Sequence, residues 1–209
     1  KKPLSKVIMV GTSQVGKTSI CLRLKTNTFI DSAFSTLGTD FMLSKLKSPD
    51  GRVIQARIFD TSGQERFSRL VSGFFHGSDL AIFVVSFDEI ESLSELESKV
   101  DEVDEHCDPP PLKFLVLNKI DLPGALDGSW PLKREDVEAA SEELGFDRIY
   151  LTSAKTGEGI SELFEDVAKE LLGLVRMDDG EDSEPHETTK LVDHDDYDDE
   201  DMGKGCCCK

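Results

Sequence analysis

The 209-residue chain has no run of about 18 apolar residues and no long apolar core near its start. The expectation is a protein that neither spans a membrane nor is secreted. Its five cysteines, at 21, 107, 206, 207 and 208, offer no even framework of bridges, which fits a reducing cytosol. Positive charge is also scarce: 24 Lys and Arg stand against 42 Asp and Glu, a net charge of −18. That balance excludes a nucleic-acid backbone as the expected partner, because such binding needs a basic face that releases counterions. The deficit is uneven. From Met177 to Lys209, 13 acids face three lysines, a net −10, leaving −8 for the 176 residues before them. The length suits one well-buried domain followed by a tail.

What is present begins at Val7-Ile8-Met9-Val10, four apolar residues that read as a buried strand and run into Gly11-Thr12-Ser13-Gln14-Val15-Gly16-Lys17-Thr18. Gly-x-x-x-x-Gly-Lys-Thr between a strand and a helix is the spacing that wraps backbone N–H groups around a polyphosphate. Gly11 and Gly16 let the backbone approach closely, and the helix starting near Lys17 points its positive end at the anion. Lys17 is expected to reach the β- and γ-phosphates, and the Thr18 hydroxyl to take one coordination position on Mg²⁺.

The helix continues from Ser19 to Lys25, with Ile20, Leu22 and Leu24 as apolar members and Cys21 packed as a small hydrophobe. Thr26 to Thr39 is polar and aperiodic and reads as a long, functional loop. Phe41–Lys47 and Val53–Asp60 flank the turn cluster Ser48-Pro49-Asp50-Gly51 as an antiparallel hairpin, with Ile54, Ala56 and Ile58 on one face and Gln55 and Arg57 on the other. Asp60, at the carboxyl end of that strand, can hold Mg²⁺ through a water.

Leu80–Val85 is apolar throughout, as in a central parallel strand. Ile90, Leu93, Leu96, Val100 and Val103 recur at helical spacing, and Pro109-Pro110-Pro111 stops that helix. Phe114–Leu117 is a further buried strand that delivers Asn118-Lys119-Ile120-Asp121 to the edge where the phosphate loop lies. Leu122–Pro131 is a loop, Glu135–Leu144 a helix and Ile149–Leu151 a short strand running into Thr152-Ser153-Ala154-Lys155. A last helix places Ile160, Leu163, Phe164, Val167 and Leu171 on one face. Alternating strands and helices give an α/β doubly wound sheet with ligands at the carboxyl ends of its strands.

Taken together, GTSQVGKT at 11 to 18, Thr36, DTSGQ at 60 to 64, NKID at 118 to 121 and TSAK at 152 to 155 resemble the motif set of the Ras superfamily of small GTPases. Ser35-Thr36-Leu37-Gly38-Thr39-Asp40-Phe41, Gly63-Gln64-Glu65-Arg66-Phe67 and the terminal cysteines are most similar to the Rab branch. The resemblance covers Ser5 to about Arg176. It implies a P-loop G domain over residues 1–176, with a mostly parallel six-stranded sheet and one antiparallel hairpin strand, and a tail over 177–209.

It also implies a site. Ser13, Gln14, Val15, Gly16, Lys17, Thr18 and Ser19 would hold the phosphates of GTP or GDP. Asp121 would accept from the guanine N1–H and 2-amino group, a pairing that leaves the carboxylate unpaired with adenine. Asn118 would hold N7 and tie the loops together, Lys119 and Phe29 would cover the two faces of the ring, and the Ala154 N–H, with Ser153 and Lys155 beside it, would meet O6. Thr18, Thr36 and Asp60 would hold Mg²⁺. Thr36 and the Gly63 N–H would touch the γ-phosphate and let go once it leaves, which is the switch. Gln64 would orient the attacking water, with Lys17 and Thr36 as the other catalytic groups. With no arginine in the phosphate loop, intrinsic hydrolysis is expected at about 10⁻⁴ to 10⁻² s⁻¹, a partner's arginine adding roughly 10³ to 10⁵.

The sequence departs from the family pattern at Ser62, usually alanine; at Phe59, usually tryptophan in Rab proteins; and at Ser13 and Gln14, often small or glycine. Hydrolysis rate is the property these changes bear on. Phe41, Phe59, Phe67, Phe74 and Phe75 read either as core packing or as an apolar platform for effectors of the GTP state. Beyond effectors, the resemblance implies an exchange factor, a GTPase-activating protein, a prenyl-transfer escort and a GDP-dissociation inhibitor as partners.

The tail is nearly free of apolar residues, and disorder is expected there. Metal binding by His186, His194 and the aspartates competes with a solvated, self-repelling linker. The resemblance suggests geranylgeranylation of two of Cys206, Cys207 and Cys208, the regime in which lipid anchoring to the cytoplasmic face of an intracellular membrane is stable. The function implied is a trafficking switch. A non-cycling guanine-nucleotide scaffold and an ATP-using small kinase are the competing readings, and NKID speaks against the second.

Overall fold

A computed structural model describes residues 4–30, 39–61, 72–125 and 132–178. Its six strands are β1 (Ser5–Val10), β2 (Thr39–Lys47), β3 (Val53–Thr61), β4 (Leu80–Ser86), β5 (Leu112–Asn118) and β6 (Arg148–Leu151). They form one sheet in the order β2-β3-β1-β4-β5-β6, in which only the β2–β3 pair is antiparallel. Among the described residues the helices are α1 (Lys17–Thr26), α2 (Glu91–Ser94), α3 (Leu96–His106), α4 (Arg134–Glu143) and α5 (Ile160–Asp178), with a 3₁₀ turn at Ser72–Phe74. Among the described residues no helix is long and apolar enough to cross a membrane.

The unbroken apolar run of β1 follows from burial on both faces. Val7 and Met9 point into a core shared with Ile20 of α1 and Leu163, Val167 and Leu171 of α5. Ile8 and Val10 point the other way, into a core with Leu96, Val100 and Val103 of α3 and Val137 of α4. In β4, Ile82 and Val84 join the first core while Ala81, Phe83 and Val85 join the second. Alternation along a strand therefore serves two helical layers, and the strand reads as continuously hydrophobic.

The hairpin turns as the sequence indicates. Gly51 donates its N–H to Ser48 O at 2.8 Å, and Ser48 donates to Arg52 O at 2.9 Å. Ala56 and Ile58 are buried, Ile54 is half-buried, and Gln55 and Arg57 are exposed.

The helix expected through Ile90 to Val103 is instead two, α2 and α3, separated at Glu95. Ile90 is 55% exposed and does not belong to the apolar face. The reason is the turn before it. Ser92 Oγ donates to Glu89 O, Glu89 N–H donates to Ser86 O at 3.1 Å, and Ser86 N–H donates to Ser92 Oγ at 3.3 Å. These bonds fold the chain back on the end of β4 and leave Ile90 outside the helical period, at the N-cap of α2.

Candidate functional site: a phosphate loop beside two polar strand ends

The carboxyl ends of β1, β3, β5 and β6 lie along one edge of the sheet, since all four strands run in the same direction. From β1 the chain enters residues 11–16, where backbone geometry decides what fits. Gly11 has φ +141°, and a Cβ there would stand 2.4 Å from Val84 O. Gly16 has φ +101°, and a Cβ there would stand 2.3 Å from Asn118 Nδ2. Gln14, at φ 68°, is a rare non-glycine residue in the left-handed region. A side chain at Gly11 would push the loop off β4, and one at Gly16 would push it off the end of β5.

Lys17 opens α1 and is buried, at 5% exposure. Its ammonium donates to Gly11 O at 2.7 Å and Thr12 O at 2.6 Å. Burial lowers its pKa to about 8, a shift that Asp60 partly offsets. A cation held in a glycine-lined loop at a helix N-terminus, its charge penalised by burial until an anion compensates it, fits a polyphosphate. Beside it, Thr18 Oγ1 donates to Asp60 Oδ2 at 2.6 Å, bringing α1 and the end of β3 together. This oxygen pair suits a hard divalent cation such as Mg²⁺.

At the other end of the edge, Asn118 is buried and links three segments. Its Nδ2 donates to Val15 O in the phosphate loop at 2.9 Å, while its Oδ1 accepts from Thr152 Oγ1 at 3.1 Å and from the Ala154 N–H at 3.2 Å. Asp121 Oδ1 accepts from Ser153 Oγ at 2.5 Å. Phe29 is half-buried and packs on the first core. Ser13, Ser19 and Lys155 occupy the loop, the first turn of α1 and the exposed end of the TSAK segment respectively.

Two residues that the sequence reading passes over carry these segments. Arg23, on α1, donates from Nε to Ala154 O at 2.8 Å, from Nη2 to Lys155 O and from Nη1 to Asn27 O at 2.7 Å. Asp88, past the end of β4, takes both hydrogen bonds from Lys119 Nζ, at 2.8 and 2.7 Å, and accepts from Ser86 Oγ at 2.9 Å. Lys119 itself stands at φ 67°, so its stem is aimed by a left-handed backbone at one end and an ion pair at the other. No spacing in the sequence marks Asp88. Arg23 stands out only as a charge inside α1.

The aromatic set divides. Phe75 is 2% exposed and belongs to the second core, whereas Phe41 and Phe74 are 57% and 41% exposed. They flank Phe59 at ring-centroid distances of 5.7 and 6.0 Å, and Lys6 Nζ lies 4.9 Å over the Phe59 ring. Thr36, Ser62, Gly63, Gln64, Phe67 and Cys206, Cys207 and Cys208 lie outside the described residues.

A doubly wound sheet with this loop, oxygen pair and linked polar edge defines a P-loop α/β protein of the Ras-like kind. A model of the Ras family matches residues 6–173, and the chain belongs to that family. It is similar to the Ras-related protein RABD1 of Arabidopsis thaliana, 33% identical over 168 residues that cover 80% of this chain and 79% of that protein. GTP-binding protein yptV2 of Volvox carteri is 33% identical over 81% of this chain and 76% of its own length. Ras-related protein Rab-1C of Dictyostelium discoideum is 32% identical over 80% and 81%. The chain is a Rab-like small GTPase, of a family whose members bind GTP and GDP with Mg²⁺ and hydrolyse GTP.

Proposed function

We propose that this GTPase is a GTP/GDP switch in membrane trafficking, slow on its own and accelerated by an activating protein. The observation that carries the reading is the linked edge, on which one asparagine joins the phosphate loop to the TSAK segment beside a buried lysine. In this reading residues 13–19 bind the phosphates. Asp121 selects guanine, Asn118 and Ala154 complete the base pocket, and Lys119 and Phe29 cover the ring.

Lys17 neutralises charge that develops on the phosphates, and Gln64 orients the water for in-line attack with Thr36 beside it. Thr18, Thr36 and Asp60 would hold Mg²⁺, which supplies further charge neutralisation when bound. Loss of the γ-phosphate frees Thr36 and Gly63, so two segments change what they present to partners. Phe41, Phe59 and Phe74 form the apolar surface that an effector reads, next to those segments.

The reading places the G domain over residues 1–176 and the lipid at two of Cys206, Cys207 and Cys208, with a cytosolic pool handled by an escort and a dissociation inhibitor. Two lipids matter because the acidic tail gains nothing from anionic membranes. The test is single-turnover hydrolysis with and without a candidate activator. Wild type should run at about 10⁻⁴ to 10⁻² s⁻¹ alone and rise roughly 10³-fold or more, while Gln64→Leu stays slow in both. Wild type near 1 s⁻¹ without help, or no response to any activator, would contradict it.

A further inference from the structure

The molecule carries −18, yet one of its faces is basic. On the outer side of the hairpin, β2 and β3 pair Phe41 with Phe59, Leu43 with Arg57, Lys45 with Gln55 and Lys47 with Val53. Phe41, Leu43, Lys45, Lys47, Val53 and Arg57 are all exposed. Leu43 and Val53 are 66% and 56% exposed, a high value for apolar side chains in a paired hairpin. Lys45, Lys47 and Arg57 form no ion pair with any described residue, in a chain where acids outnumber bases by 42 to 24. The face is therefore a strip, apolar near Phe41 and cationic toward the turn. β2 is also an edge strand, so a chain can pass around it.

The tail has the complementary pattern. Leu191-Val192 precedes Asp193-His194-Asp195-Asp196-Tyr197-Asp198-Asp199-Glu200-Asp201, seven acids around a single aromatic residue. Its origin is well placed. α5 starts beside the carboxyl ends of the strands and runs back for 19 residues, a length of about 28 Å, to Asp178. Leu174 packs on the core that contains Leu46, so the helix ends on the side of the sheet where the hairpin turns. Asp193 is 15 residues beyond Asp178, a reach of up to about 50 Å, against about 30 Å for the nine-residue β2.

From these observations we infer that the segment 191–201 of this same chain docks on the outer hairpin face, the carboxylates of 193–201 on Lys45, Lys47 and Arg57, and Leu191, Val192 and Tyr197 against Leu43 and Phe41. A tether of this length holds the block at a millimolar effective concentration, so weak pairs suffice and a free acidic peptide must compete with the tail. The pairs are exposed, hence screened by salt, with a Debye length of about 8 Å at physiological strength. The contact rests on charge and reach and not on the nucleotide reading, and can fail or stand separately from it.

Zero-length carbodiimide crosslinking of the purified full-length, unlipidated chain at low salt, read by mass spectrometry, tests it. Intramolecular links from Asp193–Asp201 are expected to favour Lys45 and Lys47 at least fivefold over Lys169, which is exposed and closer to the tail along the sequence. Arg57→Glu keeps both lysines, and should cut those links about fivefold, as should 0.5 M NaCl. Adding Asp195→Arg and Asp196→Arg to Arg57→Glu should recover part of the loss from the remaining acids. Links spread evenly over surface lysines, or unmoved by Arg57→Glu and salt, would overturn the proposal. So would links between isotopically distinct copies, which would make the occupant a second molecule. Binding of phosphatidylserine vesicles that is lost in Lys45→Glu/Lys47→Glu would equally overturn it, giving the face to a membrane.

Discussion

Lys17 sits where burial and chemistry pull in opposite directions. Its pKa of about 8 lies below the ordinary 10.5, because burial disfavours the charged form. In the nucleotide-free protein, the penalty for holding that charge is present below pH 8. It is relieved as pH climbs toward 10.5, where the unfolded chain still keeps its proton, and stability should rise over that window by up to about 1.4 kcal/mol per unit. In the proposed site a bound polyphosphate would restore the charge. GDP binding at pH 9 should therefore take up close to one proton, measured calorimetrically in buffers of different ionisation enthalpy, and Lys17→Met should lose that uptake. Gly16 constrains the same loop from the opposite side. Gly16→Ala puts a methyl 2.3 Å from Asn118 Nδ2 at a φ that side chains avoid. Its expected signature is a lower melting temperature together with faster nucleotide release.

At the level of elements, much was legible because it is local. The strands β1, β4 and β5 announce themselves as apolar runs, the hairpin by Pro49-Asp50-Gly51, and α5 by Ile160, Leu163, Phe164, Val167 and Leu171. The division of the expected long helix into α2 and α3 was not legible. It depends on serine side chains, Ser86 and Ser92, bonding to nearby backbone, and composition does not show which of many serines will do so. Asp88 and Arg23 were invisible for a different reason. Their partners lie 31 and 131 positions away, so only the fold brings them together. Both tie elements that the motifs merely end. Asp88→Ala should speed GDP dissociation roughly tenfold, equivalent to about 1.4 kcal/mol, by letting Lys119 wander, with Asp88→Asn in between. Arg23→Met should do the same through the TSAK segment. Stopped-flow release of a fluorescent GDP checks both, and unchanged rates would mean that these links hold the fold and not the pocket.

The whole molecule is a sheet with a separate core on each face and its polar chemistry gathered at one edge. Phe83→Ala, in the second core, should destabilise by about 3–5 kcal/mol whatever the ligand. Phe41→Ala, at a 57% exposed position, should leave stability and nucleotide affinity nearly unchanged and weaken partners that read the GTP form. Denaturant titration and a nucleotide exchange assay separate the two. The proposed function rests on guanine being chosen at Asp121. Equilibrium competition of GTP against xanthosine triphosphate, on wild type and Asp121→Asn, measures that choice directly. Wild type should prefer GTP strongly, and the variant should reverse the order, since its amide donates where the carboxylate accepted. A ranking that Asp121→Asn leaves unchanged would contradict the assignment of the base pocket and the switch built on it.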